Sequence, residues 1–571
     1  MMVSNNNLEY KAHTVVSPPL VGLPLALMAI LTDNIGKIIG LNSFLARISG
    51  LFKLRGHTEL PTSRVITHPV GFNILPKTSV TLELNVESSN ESHQGFRRFS
   101  AFDLHEAYLS KKTTPLEVAE KLLDYLKASE NLVFINQYNE NDILAQARSA
   151  TARYEKNSSR GSLDGVPIIV KDDSDVQGYE TRNGTCIFNQ QNPAVEDSFP
   201  VAKLRQAGAI IIGKANMIEL GFDMIGGNMI AGSPRNPYNT AHYCGGSSSG
   251  SACAVSCGIV PIAVGSDGGG SIRLPSSFCG VFGLKPTHDR VSTRGFAGSH
   301  FTVAVVGPIA TTAQDLALAY SIMAQPDQVD SELVKPEIPP VTLAGFNNIK
   351  DLSDVTIGIY PDYFNDVRNN EITLACSRIL DLLKLRGARV VEFKFPDLDR
   401  ITIAHLVSIG MEILAEVQHH PKRNQLSYHN RLQLNIIETL TFTDYFYAQK
   451  VRTRAMEILR QIYEEQKIDA IITPTSGITA PKISSNSALK YGEHDSMRQS
   501  YGMRFAFLPN FLGVPAVSIP AGYDTTGMPI GVQFMASWYN EALLLRIANT
   551  VQDLLYENDI LRKPSNFFTY F

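Results

Sequence analysis

The chain has 571 residues, 44% of them hydrophobic and 19% charged, enough apolar material for a large core. With 51 Lys and Arg against 55 Asp and Glu the formal charge is −4, which gives no basic footprint for nucleic acid. Gly 41 and Pro 30 exclude a collagen-like or globally disordered chain, and six cysteines in this length do not form a disulfide framework. They read as reduced thiols in a cytosol-facing protein.

At the N-terminus there is no basic cluster followed by an apolar core and a small-residue cleavage site, so no signal peptide is read. The longest apolar run, residues 18–31 (PPLVGLPLALMAIL), is too short to span a bilayer, which takes ~20 residues, and it carries Pro24. Leu41, Phe44, Leu45, Ile48, Leu51 and Phe52 then recur at helical spacing, with Lys37, Arg47, Lys53 and Arg55 nearby. Two readings fit: amphipathic helices packed on the body, or a surface that meets lipid or a second subunit. Periodicity does not separate them, because a core-facing and a lipid-facing stripe have the same pattern.

Residues 86–95 (VESSNESHQG) read as a linker or surface loop. Thr114-Pro115-Leu116-Glu117 predicts a capped helix, with Leu116, Ala119, Leu123 and Leu126 on its buried face. Strands are predicted at 166–170, 209–212, 259–264, 355–360, 390–395 and 530–535, and a helix at 371–385 stopped by Gly387. The Pro-rich stretch 331–346 is expected to cross the surface. Strand and helix alternate repeatedly, which predicts an α/β fold around a sheet with covered faces.

The densest chemical signal is residues 245–287, two Ser/Gly-rich turns flanking a short helix and an apolar strand. In the second turn, Gly268, Gly269 and Gly270 stand directly before Ser271. Backbone without side chains can aim several N–H groups at one point, which an oxyanion hole requires, and Ser271 is then a candidate nucleophile. Upstream, GVPIIVK puts Lys171 at the end of an apolar strand, where lost hydration lowers its pKa and lets it act as a base.

These segments (GGSSSGSA, GSDGGGSIRLPSSFCGVFGLKPT and GVPIIVKDD) resemble the amidase signature family. The resemblance implies an amidase signature fold: a large mixed central β-sheet covered by helices on both faces. It also implies a Ser–cis-Ser–Lys triad of Ser271 as nucleophile, Ser247 as bridging serine on a cis peptide, and Lys171 as base. The oxyanion hole maps to the N–H groups of Gly268, Gly269, Gly270 and Ser271. Ser248 and Ser266 map to supporting hydroxyls, Asp267 and Arg273 to a structural ion pair.

Further stretches (EYKAHTVVSPPLVGL, KKTTPLEVAEKLL, YFNDV, HLVSIG with NQLSYHNR, and NFLGVPAVSIPAGYD) are similar to plant-type fatty acid amide hydrolases over nearly the whole chain. That similarity implies hydrolysis of N-acylethanolamines to fatty acid and ethanolamine, without a cofactor or metal. It implies a homodimer peripherally attached to the endoplasmic reticulum or another endomembrane. Residues 1–95 are then a helical cap for membrane contact and substrate access, and 96–571 the catalytic domain, with its signature core at about 160–320. Gly221 and Phe222 map to the substrate wall. The segment from Ile218 to Asn228 departs from the plant pattern at Met224 and Ile225, whose apolar side chains suit an acyl chain, and it places a charge at Asp223.

Other readings are weighed against this one. A general short-chain amidase, or an amidotransferase-like glutamine amidase subunit, shares the signature; the N-terminal apolar segment argues against the second. Gly246-Ser247-Ser248-Ser249-Gly250 matches an α/β-hydrolase elbow, but the polar residues before it are no strand. An inactive lipid-binding scaffold is disfavoured by the intact triad positions. Cys253 and Cys257, His419-His420 and Trp538 read as structural or solvated residues.

Overall fold

The computed structural model describes residues 10–55, 65, 95–298, 302–331 and 338–571. The expected linker at 86–95, apart from Gly95, and residues 332–337 of the Pro-rich stretch 331–346 lie outside the described residues.

Thirteen strands are seen among the described residues: β1 (Leu20–Val21), β2 (Ile135–Gln137), β3 (Pro167–Lys171), β4 (Ile210–Ala215), β5 (Ile262–Asp267), β6 (Phe282–Lys285), β7 (Val305–Ala310), β8 (Thr356–Ile359), β9 (Arg389–Glu392), β10 (Ala470–Pro474), β11 (Glu493–His494), β12 (Ala516–Tyr523) and β13 (Pro529–Ala536). Eleven of them form one sheet in the order β2-β4-β3-β5-β7-β6-β12-β13-β10-β8-β9. The sheet is mixed. β3 runs parallel to β4 and β5, and β8 parallel to β9 and β10, while the middle from β5 to β13 is antiparallel.

Successive side chains of a strand point to opposite faces. Every residue of β3, β4, β5, β6, β7, β10 and β13 is buried, so both faces of the sheet are covered. Helices Ser249–Ser256, Arg273–Cys279, Ala313–Met323, Asn370–Leu385 and Glu541–Glu557 pack against it. Only the edge strand β9 is largely exposed.

The expected strands are all present, but their ends shift. The strand expected at 259–264 begins at Ile262 and runs on to Asp267, carrying Ser266 and Asp267 into the sheet. The strand expected at 390–395 stops at Glu392, because the sheet ends there and β9 pairs with β8 alone. The helix after Thr114 has the predicted capping box, with Pro115 at its first turn. Its buried side is wider than expected: Val118 and Leu122 are buried, whereas Leu116 is half-buried. Trp538 is in the core and its indole N–H donates to the Leu512 carbonyl at 2.8 Å.

The N-terminal apolar runs form helices Leu23–Asn34 and Leu41–Ile48 and a short turn of helix, Leu51–Leu54, that Gly50 separates from the second. The stripe from Leu41 to Phe52 is therefore not one helix. Its apolar residues do not all point inward either: Leu51 is buried and Leu45 packs inward, while Phe44 and Ile48 are 57% and 52% exposed, and Asn42 and Ala46 are buried in their stead. Helix Leu23–Asn34 buries Leu25, Ala26, Ala29 and Thr32 against helix Tyr428–Ile437, and leaves Leu23, Leu27, Ile30 and Leu31 to solvent. Asp33 ties the two helices through Arg431 and Asn435. β1 pairs with β11, far along the chain.

Candidate active site

Four pieces of chain meet at the ends of β3 and β5. β3 ends at Lys171, and Asp173 follows in the next turn. β5 ends at Asp267, and the turn 268–271 leads into helix Arg273–Cys279. Ser247 precedes helix Ser249–Ser256, whose residues are all buried, and the Gly246–Ser247 peptide is cis. The fourth piece, residues 218–225, lies beside it: Ile218 N–H donates to the Ser247 carbonyl at 3.2 Å.

Lys171 is the hub. Its Nζ lies 2.8 Å from Ser247 Oγ, 2.6 Å from Ser266 Oγ and 3.0 Å from Asp173 Oδ2. Ser266 Oγ in turn donates to Asp173 Oδ2 at 2.5 Å. Burial pushes the lysine below its ordinary value, and the Asp173 carboxylate pulls part of that shift back. Desolvation is the leading cause of the low pKa, as the sequence reading expected from lost hydration at the strand end, although the amine's hydrogen-bond partners are polar. Asp173, the last residue of the quoted GVPIIVKDD, was not assigned a role from sequence, yet it is in direct contact with the amine.

Ser271 is on the other side. Its carbonyl accepts the Ser248 N–H at 3.2 Å, which ties its segment to that of Ser247. Lys171 and Ser247 are each 1% exposed and Ser271 is 8% exposed, the most accessible of the three. Ser248 Oγ donates to the Ser266 carbonyl at 3.2 Å.

The turn itself is held by Asp267. Its carboxylate accepts from Gly270 N at 2.7 Å, Ile272 N at 3.1 Å and Arg273 Nε at 2.9 Å. Burial alone would raise this carboxyl; the Arg273 charge and hydrogen bonds hold it well below the usual range. Arg273 continues to Gln533 and Asn510. Because Gly270 N–H is bonded to Asp267, it is not open for an oxyanion as the sequence reading had it. The N–H groups of Gly268, Gly269 and Ser271 make no hydrogen bond among the described residues. Gly270 has φ +115°, and a Cβ there would lie 2.7 Å from Ala506 Cβ, so the turn requires glycine at this position.

A cavity of about 440 Å³ opens nearby. Its lining is mostly apolar and comes from distant parts of the chain: Val15, Leu20, Met28 and Leu45 from the N-terminal segment, Leu432 and Ile436 from helix Tyr428–Ile437, and Met503 and Phe507. Lys171, Ser247 and Ser271 do not line it. It reaches the glycine turn through Met503, whose Cε would lie 3.3 Å from a Cβ on Gly269. Phe222 lines the cavity but Gly221, which turns the chain at φ +66°, does not. Met224 and Ile225 are also absent from the lining. They are buried in a separate cluster with Tyr243 and Phe278, and their carbonyls accept Gly246 N–H and Gly245 N–H. The expected acyl contact at Met224 and Ile225 is therefore corrected: these residues support the backbone before Ser247. The Asp223 carboxylate accepts from Met224 N at 2.6 Å and from Gln499 Nε2 at 3.2 Å.

Comparison with known proteins follows this geometry. The family model described as Amidase matches residues 117–545. A fatty acid amide hydrolase of Arabidopsis thaliana is 34% identical over 597 residues, covering 99% of this chain and 97% of its own. One from Medicago truncatula is 38% identical over 484 residues, 83% of this chain and 79% of its own. A crystal structure of an amidase superposes with a TM-score of 0.70 at 26% identity, covering 80% of this chain and 100% of the other.

Proposed function

The chain belongs to the amidase signature family and is an amide-hydrolysing enzyme, and from that premise we propose that it cleaves long-chain fatty acid amides, N-acylethanolamines foremost, through an acyl-enzyme on Ser271. The observation that carries the substrate class is the apolar cavity, one of whose lining residues, Met503, packs beside the glycine turn. Each acyl methylene buried there contributes ~0.8 kcal/mol. The Arabidopsis and Medicago relatives are named fatty acid amide hydrolases.

In this reading Ser271 Oγ attacks the amide carbon. Its proton passes to Ser247, which releases its own to the neutral amine of Lys171, 2.8 Å away. The carbonyl oxygen becomes an oxyanion facing the free N–H groups of the turn. The C–N bond then breaks, and the leaving amine takes the proton back from Lys171 through Ser247. Water cleaves the ester by the same relay and releases the fatty acid. The depressed pKa of Lys171 supports its role as the acceptor.

The cap belongs to the proposal. Leu23, Leu27, Ile35, Ile38, Ile39 and Phe44 are exposed on one short segment that also carries Lys37 and Arg47. This composition suits peripheral attachment, with apolar side chains in the lipid interface and cations among headgroups. Among the described residues no helix is long and apolar enough to cross a membrane. The homodimer is carried with this reading and is checked by sedimentation.

The test is a panel of acylethanolamides of graded chain length, primary fatty amides and acetamide, run on the native chain and on Ser271→Ala. A kcat/KM that climbs with chain length and vanishes in the variant supports the proposal. A flat profile, or a preference for acetamide, moves the assignment to a general amidase.

A further inference from the structure

His405, on helix Leu398–Val417, is fully buried, and its Nε2 lies 2.7 Å from the Gly268 carbonyl. A carbonyl only accepts, so Nε2 carries the proton and Nδ1 is the bare nitrogen; Nδ1 has no hydrogen-bond partner among the described residues. The ring is held by Phe507 at 4.7 Å and Phe511 at 6.1 Å between centroids. Burial pushes the imidazole down to about 3; the Gly268 bond opposes this and the Arg452 charge adds to it. The side chain is therefore a neutral donor at any working pH.

The carbonyl it holds is half of a rigid unit. In a trans peptide the C=O of one residue and the N–H of the next point in opposite directions. A hydrogen bond that draws the Gly268 carbonyl toward the helix turns the Gly269 N–H away from it. That N–H meets no acceptor among the described residues, while the next one, Gly270 N–H, is bonded to Asp267. Two buried side chains thus fix consecutive peptide units of the turn. We propose that His405 is a positioning residue for the oxyanion site: by holding the Gly268 carbonyl it presents the Gly269 N–H to the substrate oxygen at Ser271. This rests on the reading of Ser271 as nucleophile. His405 itself touches no substrate atom.

The experiment compares His405→Phe, which keeps a ring and removes the donor, with His405→Gln, whose amide N–H reaches the same carbonyl. His405→Phe is expected to lower kcat about 10- to 100-fold with KM within about twofold. Affinity for a long-chain trifluoromethyl ketone, which forms a tetrahedral adduct, falls by the same factor, and affinity for the matching planar fatty acid does not change. His405→Gln recovers most of both. If a folded His405→Phe keeps native kcat and ketone affinity while Ser271→Ala is inactive, the inference is wrong and the nucleophile reading stands. If Ser271→Ala still turns over, the nucleophile reading itself is wrong. Equal losses in both His405 variants would reduce the residue to packing and overturn the inference. Should His405→Phe not fold, ¹⁵N-histidine spectra of the native protein decide: an Nε2–H imidazole with bare Nδ1 from pH 5 to 9 is expected, and an Nδ1–H tautomer or an imidazolium refutes it.

Discussion

The turn 265–273 and the N-terminal stretch 18–55 are both built from small and apolar residues, yet they are stabilised by different means. In the turn, charge is locked: Asp267 and Arg273 are 0% exposed and share five further backbone and side-chain partners between them. In the N-terminal stretch, the charged tie between Asp33 and Arg431 is partly exposed and apolar side chains such as Leu23, Leu27, Ile38 and Phe44 face outward while Leu25, Ala29 and Leu54 are buried. The first region can hold atoms to a fixed geometry, because a buried charge that loses its partner is strongly penalised. The second is held by buried area and by a few partly exposed ion pairs.

Variants sharpen this contrast. Lys171→Ala is expected to lower kcat by about 10³-fold, with the residual rate rising with hydroxide concentration, measured by steady-state hydrolysis across pH. Asp267→Asn leaves Arg273 buried without its counter-charge and is expected to lower stability by about 3–5 kcal/mol, read by urea unfolding. Asp267 has a depressed folded-state pKa, so its contribution is present at neutral pH and is lost only as pH falls in strong acid. Asp173→Asn removes an influence that raises the Lys171 pKa. The acid limb of the pH–rate profile should therefore move to lower pH, with a plateau about tenfold lower as the Ser266 contact is disturbed. Arg431→Ala, acting on a partly exposed pair, should cost under about 1 kcal/mol. Ile38→Ser, at a residue 84% exposed, should change stability by no more than about 0.5 kcal/mol while weakening sedimentation with anionic vesicles. A large stability loss at Ile38, or a negligible one at Asp267, would erase the distinction between the regions.

The two regions were also unequally readable. The strands, the capped helix at Thr114 and the positions of Lys171, Ser247 and Ser271 follow from period, turn chemistry and ordered motifs, all of which are local in sequence. The orientation of the cap was not readable, because the direction of an apolar stripe depends on what packs behind it; Asn42 and Ala46, the least apolar-looking choices, are the buried ones. Met224 and Ile225 were misplaced for the same reason, since apolar character marks burial but not which cavity a side chain serves. Asp173 and the Gly270–Asp267 bond were missed because a carboxylate's position within a motif does not show which amine or backbone N–H it meets in the fold. His405 gave a weak signal inside a quoted segment, HLVSIG, with no nearby partner to suggest a role.

The pairing of Leu20–Val21 with Glu493–His494 joins strands about 470 residues apart in the chain. At roughly 5–20 residues per second, a ribosome needs roughly half a minute to a minute and a half between making the first strand and making the second. For most of that interval, until Tyr428–Ile437 is made, the opening helices lack their seat on that helix, and the cavity wall is completed only when Met503 and Phe507 follow. Biosynthesis of this protein therefore includes a long phase in which a bound chaperone has time to act before the wall is complete.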